Sequence, residues 1–544
     1  MKNLDARFFY LSMVGMFTLL LFLYFKNKTL DNPTTRLQES PISKPSKKPK
    51  KIQKILVEKP QTKGSTFSSP ITPENAIPGE KILSFKNKKS FLEFLEFSKI
   101  HNIPILDNIS NLSSVLIRSN PEIEKLLSRM SSEFLNENHN LIVAIPPNPI
   151  DESTSKGSYV PFLEEVTEWL GLPDDNSLWG QGVLIAVLDS GIKAHKSLDN
   201  DNIEFIDLIR EDLPSNIHGT AVSSILLGEE TVRGIAPAAS LLNIKVLGAE
   251  GSGDVFTLSK GIIEATNKGA KLINLSLGSS SDSPILQEAI QYAQDAGILI
   301  VAAAGNDGSS NNYYPAQYEG VIGVSAIDKM EQRPQFSNYG DYVDIAAPGV
   351  GIQAAYEGDQ IAYYDGTSFA TPYVTGMLAS ILSSDKSLSP SEAGEIIMQQ
   401  LNEAGNAGKD PYYGNGILDI SRIVRRNERG NVDVAITNYL YEENEGEHSK
   451  TLNINVQNQG TEWLQSLKLE IDINGRKWSV QLGSLNKNKT ASHSLKIPSE
   501  LIDSEKKFNI SSSIRSLGQK DSNPSNNRLL EIISFEEKNL SSGF

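Results

Sequence analysis

A serine stands among small residues in the stretch Gly366-Thr367-Ser368-Phe369-Ala370-Thr371-Pro372. The residues that follow, Ala370–Ser383, predict a helix with Pro372 near its first turn, where a missing N–H leaves no intrahelical bond unmade. At a helix N-terminus, a serine hydroxyl lies beside free N–H groups and the positive end of the helix dipole, which favour developing negative charge. A nucleophile that attacks a carbonyl needs such surroundings, although an ordinary helix-capping serine has the same local sequence.

Three further polar residues follow or begin apolar runs upstream. Val183–Leu188 predicts a strand buried on both faces, and Asp189 follows it at the carboxyl end, where α/β sheets bind ligands. His218 alone among the six histidines is followed by glycine, threonine and an apolar helical run. A second buried strand, Ile298–Ala304, leads to Asn306, whose amide can donate to an oxyanion. Because a serine nucleophile needs a base and the base needs an orienting acid, this set predicts nucleophilic catalysis.

Four motifs of this chain resemble the active-site motifs of the subtilisin-like serine proteases, or subtilases, and occur in the order of that family. They are Asp189-Ser190-Gly191, His218-Gly219-Thr220, Ala304-Gly305-Asn306 and the stretch 366–372 quoted above. The resemblance covers about residues 155–425. It implies that Ser368 is the nucleophile, that His218 is the general base and then the general acid, and that Asp189 orients the histidine. It also implies that Asn306 and the N–H of Ser368 form the oxyanion hole.

Two more segments resemble those that bracket a bound substrate strand in subtilases. They are Gly251-Ser252-Gly253 and Leu275-Ser276-Leu277-Gly278. Main-chain hydrogen bonds to an extended peptide would supply affinity that tolerates many sequences. The first specificity pocket is then implied to be lined by Ser276, Leu277, Gly278, Ala303, Ala304 and Gly305. Tyr313 would narrow this pocket and Asp307 would give it a negative rim, so the sequence predicts no preference for the residue before the cut. The alternative is that both segments serve only as strand-to-helix turns.

Composition limits the classes of function. A chain of 544 residues is too long for a single core and predicts three or four domains. It contains no cysteine, which excludes disulfides, a cysteine nucleophile and cysteine-based zinc sites. The first 63 residues carry 13 lysines and arginines against 4 acidic residues, whereas the remainder is acidic within a net charge of −15. An acidic folded region argues against nucleic-acid binding.

The N-terminal residues predict a membrane segment and a linker. Phe8–Phe25 has no charged residue, and as a helix it would span ~27 Å, close to a bilayer core of ~30 Å. No small-residue cleavage site follows, which favours a signal anchor (residues 1–28) over a cleaved signal. Residues 29–79, rich in Lys, Pro, Ser and Thr, predict a disordered basic linker. Flanking charges slightly favour the bulk of the chain inside, whereas the family resemblance implies a membrane-anchored or secreted protein with an extracytoplasmic catalytic domain.

Residues 80–150 predict a small α+β domain with the order βαββαβ, the split βαβ pattern. Its position before the catalytic motifs resembles that of a subtilase propeptide, whose C-terminal strand enters and inhibits the active site. The resemblance therefore implies that the chain's own propeptide is an inhibitory partner. Autocleavage would fall between about Ile145 and Tyr159. An unrelated α+β domain is the alternative.

Residues 155–427 predict the catalytic domain, an α/β fold with a mostly parallel sheet and helices on both faces. The segment Leu227–Thr231 after the His218 helix is short and offers no series of Asp or Asn ligands. A structural calcium at the family's usual place is therefore not supported by a visible loop, no metal site is predicted, and the expected reaction requires no cofactor.

Residues 431–538 predict an all-β domain. Short strands alternate apolar with polar residues and are separated by turn signals such as Asn474-Gly475, a pattern typical of an immunoglobulin-like β-sandwich. Such a domain would either brace the catalytic domain or bind a partner.

Two hypotheses of function follow. The first is a serine endopeptidase that acts on protein or peptide substrates and is made as a membrane-anchored zymogen. The second is a catalytically inactive subtilase-like scaffold that binds peptides or partners. The presence of all three triad residues and of Asn306 favours the enzyme, and the absence of an evident terminus-binding charge disfavours an exopeptidase.

Overall fold

A computed structural model describes residues 73–147, 159–198, 202–209, 215–443, 450–497 and 507–534. The predicted anchor, and the predicted linker up to residue 72, lie outside these ranges. Among the described residues, the model contains no helix with both the length and the apolar character needed to cross a bilayer.

The N-terminal sheet follows the predicted βαββαβ order. Its elements are β1 (Ala76–Phe85), α1 (Lys88–Ile100), β2 (Ile105–Ile109), β3 (Ser114–Arg118), α2 (Pro121–Leu127) and β4 (Phe134–Ala144). These strands pair antiparallel in the order β2-β3-β1-β4. In both β1 and β4 burial is greater toward the C-terminal end of the strand, although β4 begins with the buried Phe134.

This sheet buries both of its faces. One face packs on α1 and α2 through an aromatic cluster that includes Phe85, Phe91, Phe94 and Phe134. The other face contributes Ile82, Leu116, Leu141 and Val143 to a core that is shared with helices of the following region. The N-terminal sheet is therefore docked on the catalytic region through apolar contact.

A seven-stranded parallel sheet forms the centre of the next region, as predicted. Its strands are β5 (Leu184–Asp189), β6 (Ile203–Asp207), β7 (Ser240–Lys245), β9 (Leu272–Leu275), β10 (Leu299–Ala303), β11 (Val321–Ile327) and β12 (Ile345–Pro348). They lie in the order β12-β11-β10-β9-β5-β7-β6, with every neighbouring pair parallel. Strand order reverses around β5, and ligand crevices form at such switch points.

Helices cover both faces of this sheet. The described helices of the region are α3 (Val166–Trp169), α4 (His218–Leu227), α5 (Val255–Asn267), α6 (Pro284–Asp295), α7 (Thr367–Ser384), α8 (Pro390–Gln399) and α9 (Ile420–Arg425). Ile185 and Val187 of β5 belong to the core that contains α4 and α7, whereas Ala186 and Leu188 belong to the core that contains α5 and α6. This burial on both faces explains the continuous apolar run of β5.

Three short strands lie outside the parallel sheet. They are β8 (Ser252–Asp254), β13 (Ile352–Ala355) and β14 (Ile361–Tyr364). Strands β13 and β14 pair with each other, whereas β8 pairs antiparallel with β4 and becomes the fifth strand of the N-terminal sheet.

One predicted boundary is wrong. Helix α7 begins at Thr367, three residues before the predicted start, so that Ser368 lies within the first helical turn rather than before it. Pro372 therefore lies inside the helix, where it cannot donate to the carbonyl oxygen of Ser368. The side chain of Ser276 donates to that oxygen instead, at 2.8 Å, and this bond offsets the loss.

The C-terminal residues form two antiparallel sheets around one core. The strands are β15 (Val434–Glu443), β16 (Lys450–Asn458), β17 (Leu467–Ile473), β18 (Arg476–Leu482), β19 (Thr490–Ile497), β20 (Lys507–Ser516) and β21 (Arg528–Ser534). Their orders are β15-β16-β19 and β18-β17-β20-β21, and apolar residues of both sheets share one cluster. Strands β19 and β21 have weak local signals, because β19 has many polar residues and β21 pairs its apolar residues instead of alternating them.

Polar side chains join the C-terminal sheets to the catalytic region. Arg422 of α9 is buried and donates to the carbonyl oxygen of Leu401, to Asn402 Oδ1 at 3.2 Å and to Asn488 Oδ1 at 3.1 Å. Gln457 of β16 donates to the Leu401 carbonyl oxygen at 2.9 Å. A boundary with buried, hydrogen-bonded polar groups fixes two bodies in a specific geometry.

Candidate active site

Asp189 and His218 meet where β5 ends and α4 begins. The Nδ1 atom of His218 lies 2.9 and 3.0 Å from the two carboxylate oxygens of Asp189, and both side chains are buried. Gly219 permits this approach, because a Cβ at that position would lie 2.4 Å from the carbonyl oxygen of Gly191. The aspartate thus holds the imidazole by Nδ1 and leaves Nε2 as the nitrogen available to a proton donor.

Ser368 lies beside this pair on α7. The ring of its neighbour Phe369 has its centroid 5.3 Å from that of the His218 imidazole. The Ser368 hydroxyl donates to the carbonyl oxygen of Ser276 at 3.0 Å. Nε2 of His218 is buried and has no hydrogen-bond partner among the described residues. The structure therefore brings the three predicted residues together, but the hydrogen bond from serine to histidine is not formed in this state.

The amide of Asn306 is held in one orientation. Its Oδ1 atom accepts from the backbone N–H of Thr367 at 3.0 Å and from the Thr367 hydroxyl at 2.9 Å. The Nδ2 atom therefore faces the groove, where it donates to the carbonyl oxygen of Pro147 at 3.1 Å. The N–H of Ser368, in the first turn of α7, has no intrahelical acceptor. This arrangement can stabilise negative charge on a carbonyl oxygen.

Residues 142–145 lie as an extended strand between the two predicted substrate-binding segments. On one side they pair with β8, with Val143 opposite Gly253 and Ala144 opposite Ser252. The N–H of Ile145 also donates to the Gly251 carbonyl oxygen at 2.9 Å. On the other side, Ala144 exchanges two hydrogen bonds with Gly278, at 3.0 and 2.9 Å. The chain's own segment thus occupies the groove in the manner of a substrate strand.

A proline interrupts this ladder at the candidate nucleophile. In an antiparallel ladder the next hydrogen-bonded pair lies two residues further along each strand, which would place residue 146 opposite Ser276. Pro146 has no N–H to donate to the Ser276 carbonyl oxygen. The hydroxyl of Ser368 donates to that oxygen instead. With this segment in the groove, the Ser368 hydroxyl is therefore bound to Ser276 and not to His218.

Comparison with known proteins agrees with this geometry. A model of the subtilase family (Peptidase_S8) matches residues 180–416. M-protease of Shouchella clausii (strain KSM-K16) is 32% identical over 372 residues, which cover 66% of this chain and 95% of M-protease. This chain belongs to the subtilase family. It is a subtilisin-like serine protease, as the first hypothesis predicted, rather than an inactive scaffold.

Two further comparisons cover different shares of this subtilase. Subtilisin Savinase of Lederbergia lenta is 39% identical over 256 residues, which cover 46% of this chain and 94% of Savinase. The crystal structure of the epidermin leader peptide processing serine protease (EpiP) from Staphylococcus aureus is 23% identical, with a TM-score of 0.54. That match covers 64% of this chain and 98% of EpiP, and it supports the fold alone.

The sequence analysis missed several residues that position this subtilase site. Asn338 Oδ1 accepts from the N–H groups of Asp307 and Ser309 and so fixes the loop after Asn306. Asn274 accepts from Thr375 Oγ1 at 2.9 Å and donates to Ser276 Oγ at 3.0 Å, which links α7 to the groove. Thr367 stood in the quoted stretch, but nothing in its local sequence indicated a contact with Asn306, 61 residues away.

The predicted pocket residues divide into two kinds. Ser276, Leu277, Ala303 and Ala304 are fully buried, and the Leu277 side chain belongs to the core with α5 and α6, so that it presents only its backbone to the groove. Gly278 and Gly305 are buried as well, and they contribute backbone without a side chain. Within the described ranges, no cluster of three or more His, Cys, Asp or Glu side chains could hold a metal ion.

Proposed function

We propose that this subtilisin-like serine protease is an endopeptidase that uses Asp189, His218 and Ser368, and that it is made as a membrane-anchored zymogen. The observation that carries the proposal is the carbonyl oxygen of Pro147 on Asn306, with the strand 142–145 bound along the groove. A main chain that lies in extended form along the groove and places a carbonyl oxygen on the oxyanion donor has the geometry of a bound peptide substrate.

The reaction follows from the geometry of the site. His218 Nε2 takes the proton from Ser368 as Oγ attacks the substrate carbonyl carbon, and Asp189 stabilises the resulting imidazolium. Asn306 Nδ2 and the N–H of Ser368 donate to the oxygen, which becomes negative. Collapse of the intermediate breaks the C–N bond, and His218 gives its proton to the leaving amine. Water then attacks the acyl-serine by the same route in reverse.

Residues 80–150 are proposed as the inhibitory propeptide, residues 155–427 as the catalytic domain and residues 431–538 as the β-sandwich. Support for the inhibitor comes from its strand in the groove and its apolar face on the catalytic region. The proposed membrane anchor (residues 1–28), the linker (29–79) and the location outside the cytoplasm rest on the sequence alone. The buried contacts of Arg422 favour bracing as the role of the sandwich.

Labelling with a fluorophosphonate probe tests the proposal. The purified full-length protein is incubated with the probe beside Ser368→Ala, and both are examined by intact-mass and peptide-mass analysis. We expect one label, on Ser368 of the wild type, together with loss of the propeptide through a cut between Ile145 and Tyr159. A label on another residue, or equal labelling of Ser368→Ala, would refute the assigned nucleophile. A labelled protein that keeps its propeptide would refute the zymogen.

Asn306→Ala is expected to lower kcat by about 100- to 1000-fold, or about 2.7–4 kcal/mol of transition-state stabilisation. The reason is that Nδ2 can no longer donate to the oxygen when it becomes negative, whereas ground-state contacts along the strand remain. Steady-state kinetics on a chromogenic peptide would show the loss in kcat with KM changed less than threefold. A loss confined to KM would instead assign Asn306 to ground-state binding.

Pro146→Ala is expected to accelerate self-processing by about three- to tenfold. The new N–H can donate to the Ser276 carbonyl oxygen and free the Ser368 hydroxyl for His218, and one such hydrogen bond is worth about 0.5–1.5 kcal/mol. The rate is followed by intact mass after expression of the precursor, with the melting temperature as a control for folding. An unchanged rate would show that the missing N–H does not restrain the serine.

A further inference from the structure

Two backbone segments, each ending in glycine, wall the predicted first specificity pocket. They are Ser276–Gly278 and Ala303–Gly305. In sequence, glycine at both walls leaves room for a large substrate side chain. In the structure, the ring of Tyr313 fills the space between them. Tyr313 is only 6% exposed, which means that its ring is part of the packed protein.

Distances from the two wall glycines to the Tyr313 ring show that the ring fills the space between them. A Cβ added to Gly278 would lie 2.3 Å from Tyr313 Cε1 and 2.9 Å from Cδ1. A Cβ added to Gly305 would lie 3.1 Å from Cγ and from Cδ2 of the same ring. One edge of the ring therefore meets the first wall and the opposite edge meets the second.

The backbone fixes the ring in this place. Tyr314 and Ser279 exchange two hydrogen bonds, both at 2.8 Å, which tie the chain next to Tyr313 to the end of the first wall. The carbonyl oxygen of Tyr313 accepts from the N–H of Gln317 at 2.9 Å. These bonds fix the backbone that carries Tyr313, and the buried ring packs between the two walls, so a substrate meets a pocket that is already occupied.

Ionisation of Tyr313 does not make the pocket accessible. Burial raises the pKa of Tyr313, and the nearby Asp307 and Tyr342 raise it further, so the phenol stays neutral. Asp307 itself is exposed, with its N–H bound by Asn338. Its carboxylate therefore borders solvent, and its predicted role as a negative rim of the pocket stays a prediction.

We propose that Tyr313 closes the first specificity pocket to large side chains, so that this protease cuts after alanine, glycine or serine. The inference rests on the proposed role of Ser368 and deepens it by naming the substrate class. A single methylene in a specificity pocket changes discrimination by about 10- to 200-fold, so a whole aromatic ring sets a larger ratio.

Peptide p-nitroanilides that differ only in the residue before the cut, alanine or phenylalanine, test the proposal. The assay uses unlabelled protein. A separate sample of the same preparation is shown to react with the fluorophosphonate probe. For the wild type we expect kcat/KM to be at least about 100-fold higher with alanine than with phenylalanine. Tyr313→Gly should reverse this preference. Tyr313→Phe, which keeps the ring and removes only the hydroxyl, should retain it.

The outcomes separate this inference from the function on which it rests. If one sample of the wild type reacts with the probe and a separate unlabelled sample cuts after phenylalanine as well as after alanine, the role of Tyr313 is overturned and the triad is left intact. A protein that fails to label overturns the triad itself. If Tyr313→Gly does not fold, as shown by its melting temperature, the wild type and Tyr313→Phe still decide the question. A preference lost in Tyr313→Phe would assign the effect to the hydroxyl and contradict the proposal.

Discussion

His218→Ala is expected to lower kcat by about 10⁶-fold, the order found when subtilisin loses its nucleophile or its base. The physical reason lies in the two sides of the imidazole. Nδ1 is bound to Asp189, and Nε2 is the only nitrogen left to take the proton of Ser368. Without it, Oγ must attack as a neutral hydroxyl. Burst and steady-state kinetics with an active-site probe measure the loss.

A suitable control for His218→Ala is His195→Ala. His195 is also buried, but its Nε2 lies 2.8 Å from the carbonyl oxygen of Gln360 and its Nδ1 accepts from the N–H of Ser197. Its loss should affect stability and leave kcat within about tenfold of wild type. If both variants lost activity equally, a general folding defect would explain the result and the role of His218 would be unsupported.

Asp189→Asn is expected to lower kcat by about 10⁴-fold. The carboxylate accepts from Nδ1–H of His218, so it fixes the tautomer in which Nε2 is free to accept a proton. An amide in its place can present N–H to Nδ1, and the proton then resides on Nε2, where it blocks the base. The volume and the bond from the Ser190 N–H can be preserved, which keeps the change local.

Kinetics across pH, together with the melting temperature, would check Asp189→Asn. We expect a folded protein with KM near wild type and a greatly reduced kcat. A loss below about tenfold would show that the tautomer is fixed by something other than Asp189.

The parallel sheet and the triad pair were predictable because their determinants are local. Strand β5 is apolar up to Leu188 since both of its faces are covered, and Asp189 is its last residue. The start of α7 was not predictable in the same way. Pro372 is typical of a first helical turn, but here the bond from Ser276 to the Ser368 carbonyl oxygen compensates for the missing N–H and allows the helix to begin earlier.

Contacts between residues distant in sequence could not be predicted from the sequence. The amide of Asn306 and the carbonyl of Pro147 are 159 positions apart, and no local pattern indicates their meeting. The direction of the Tyr313 ring also depends on tertiary contacts, and no local pattern around Tyr313 indicates it. The order of elements in the N-terminal domain was predictable from its periodicity, whereas the register that aligns Ala144 with Gly278 follows from tertiary packing.

The pairing of β8 with β4 has a consequence for how activity begins. While the two strands belong to one chain, any substrate competes for the groove with β4. Because β4 is covalently linked to the groove, its effective concentration there is of millimolar order. Cutting the chain does not remove β4 from the groove, but it makes the competition bimolecular. Dilution or degradation of the freed fragment then lowers the occupancy of the groove. We therefore expect the onset of proteolysis to depend on the total concentration of this protein, with a lag that shortens as the released fragment is itself degraded.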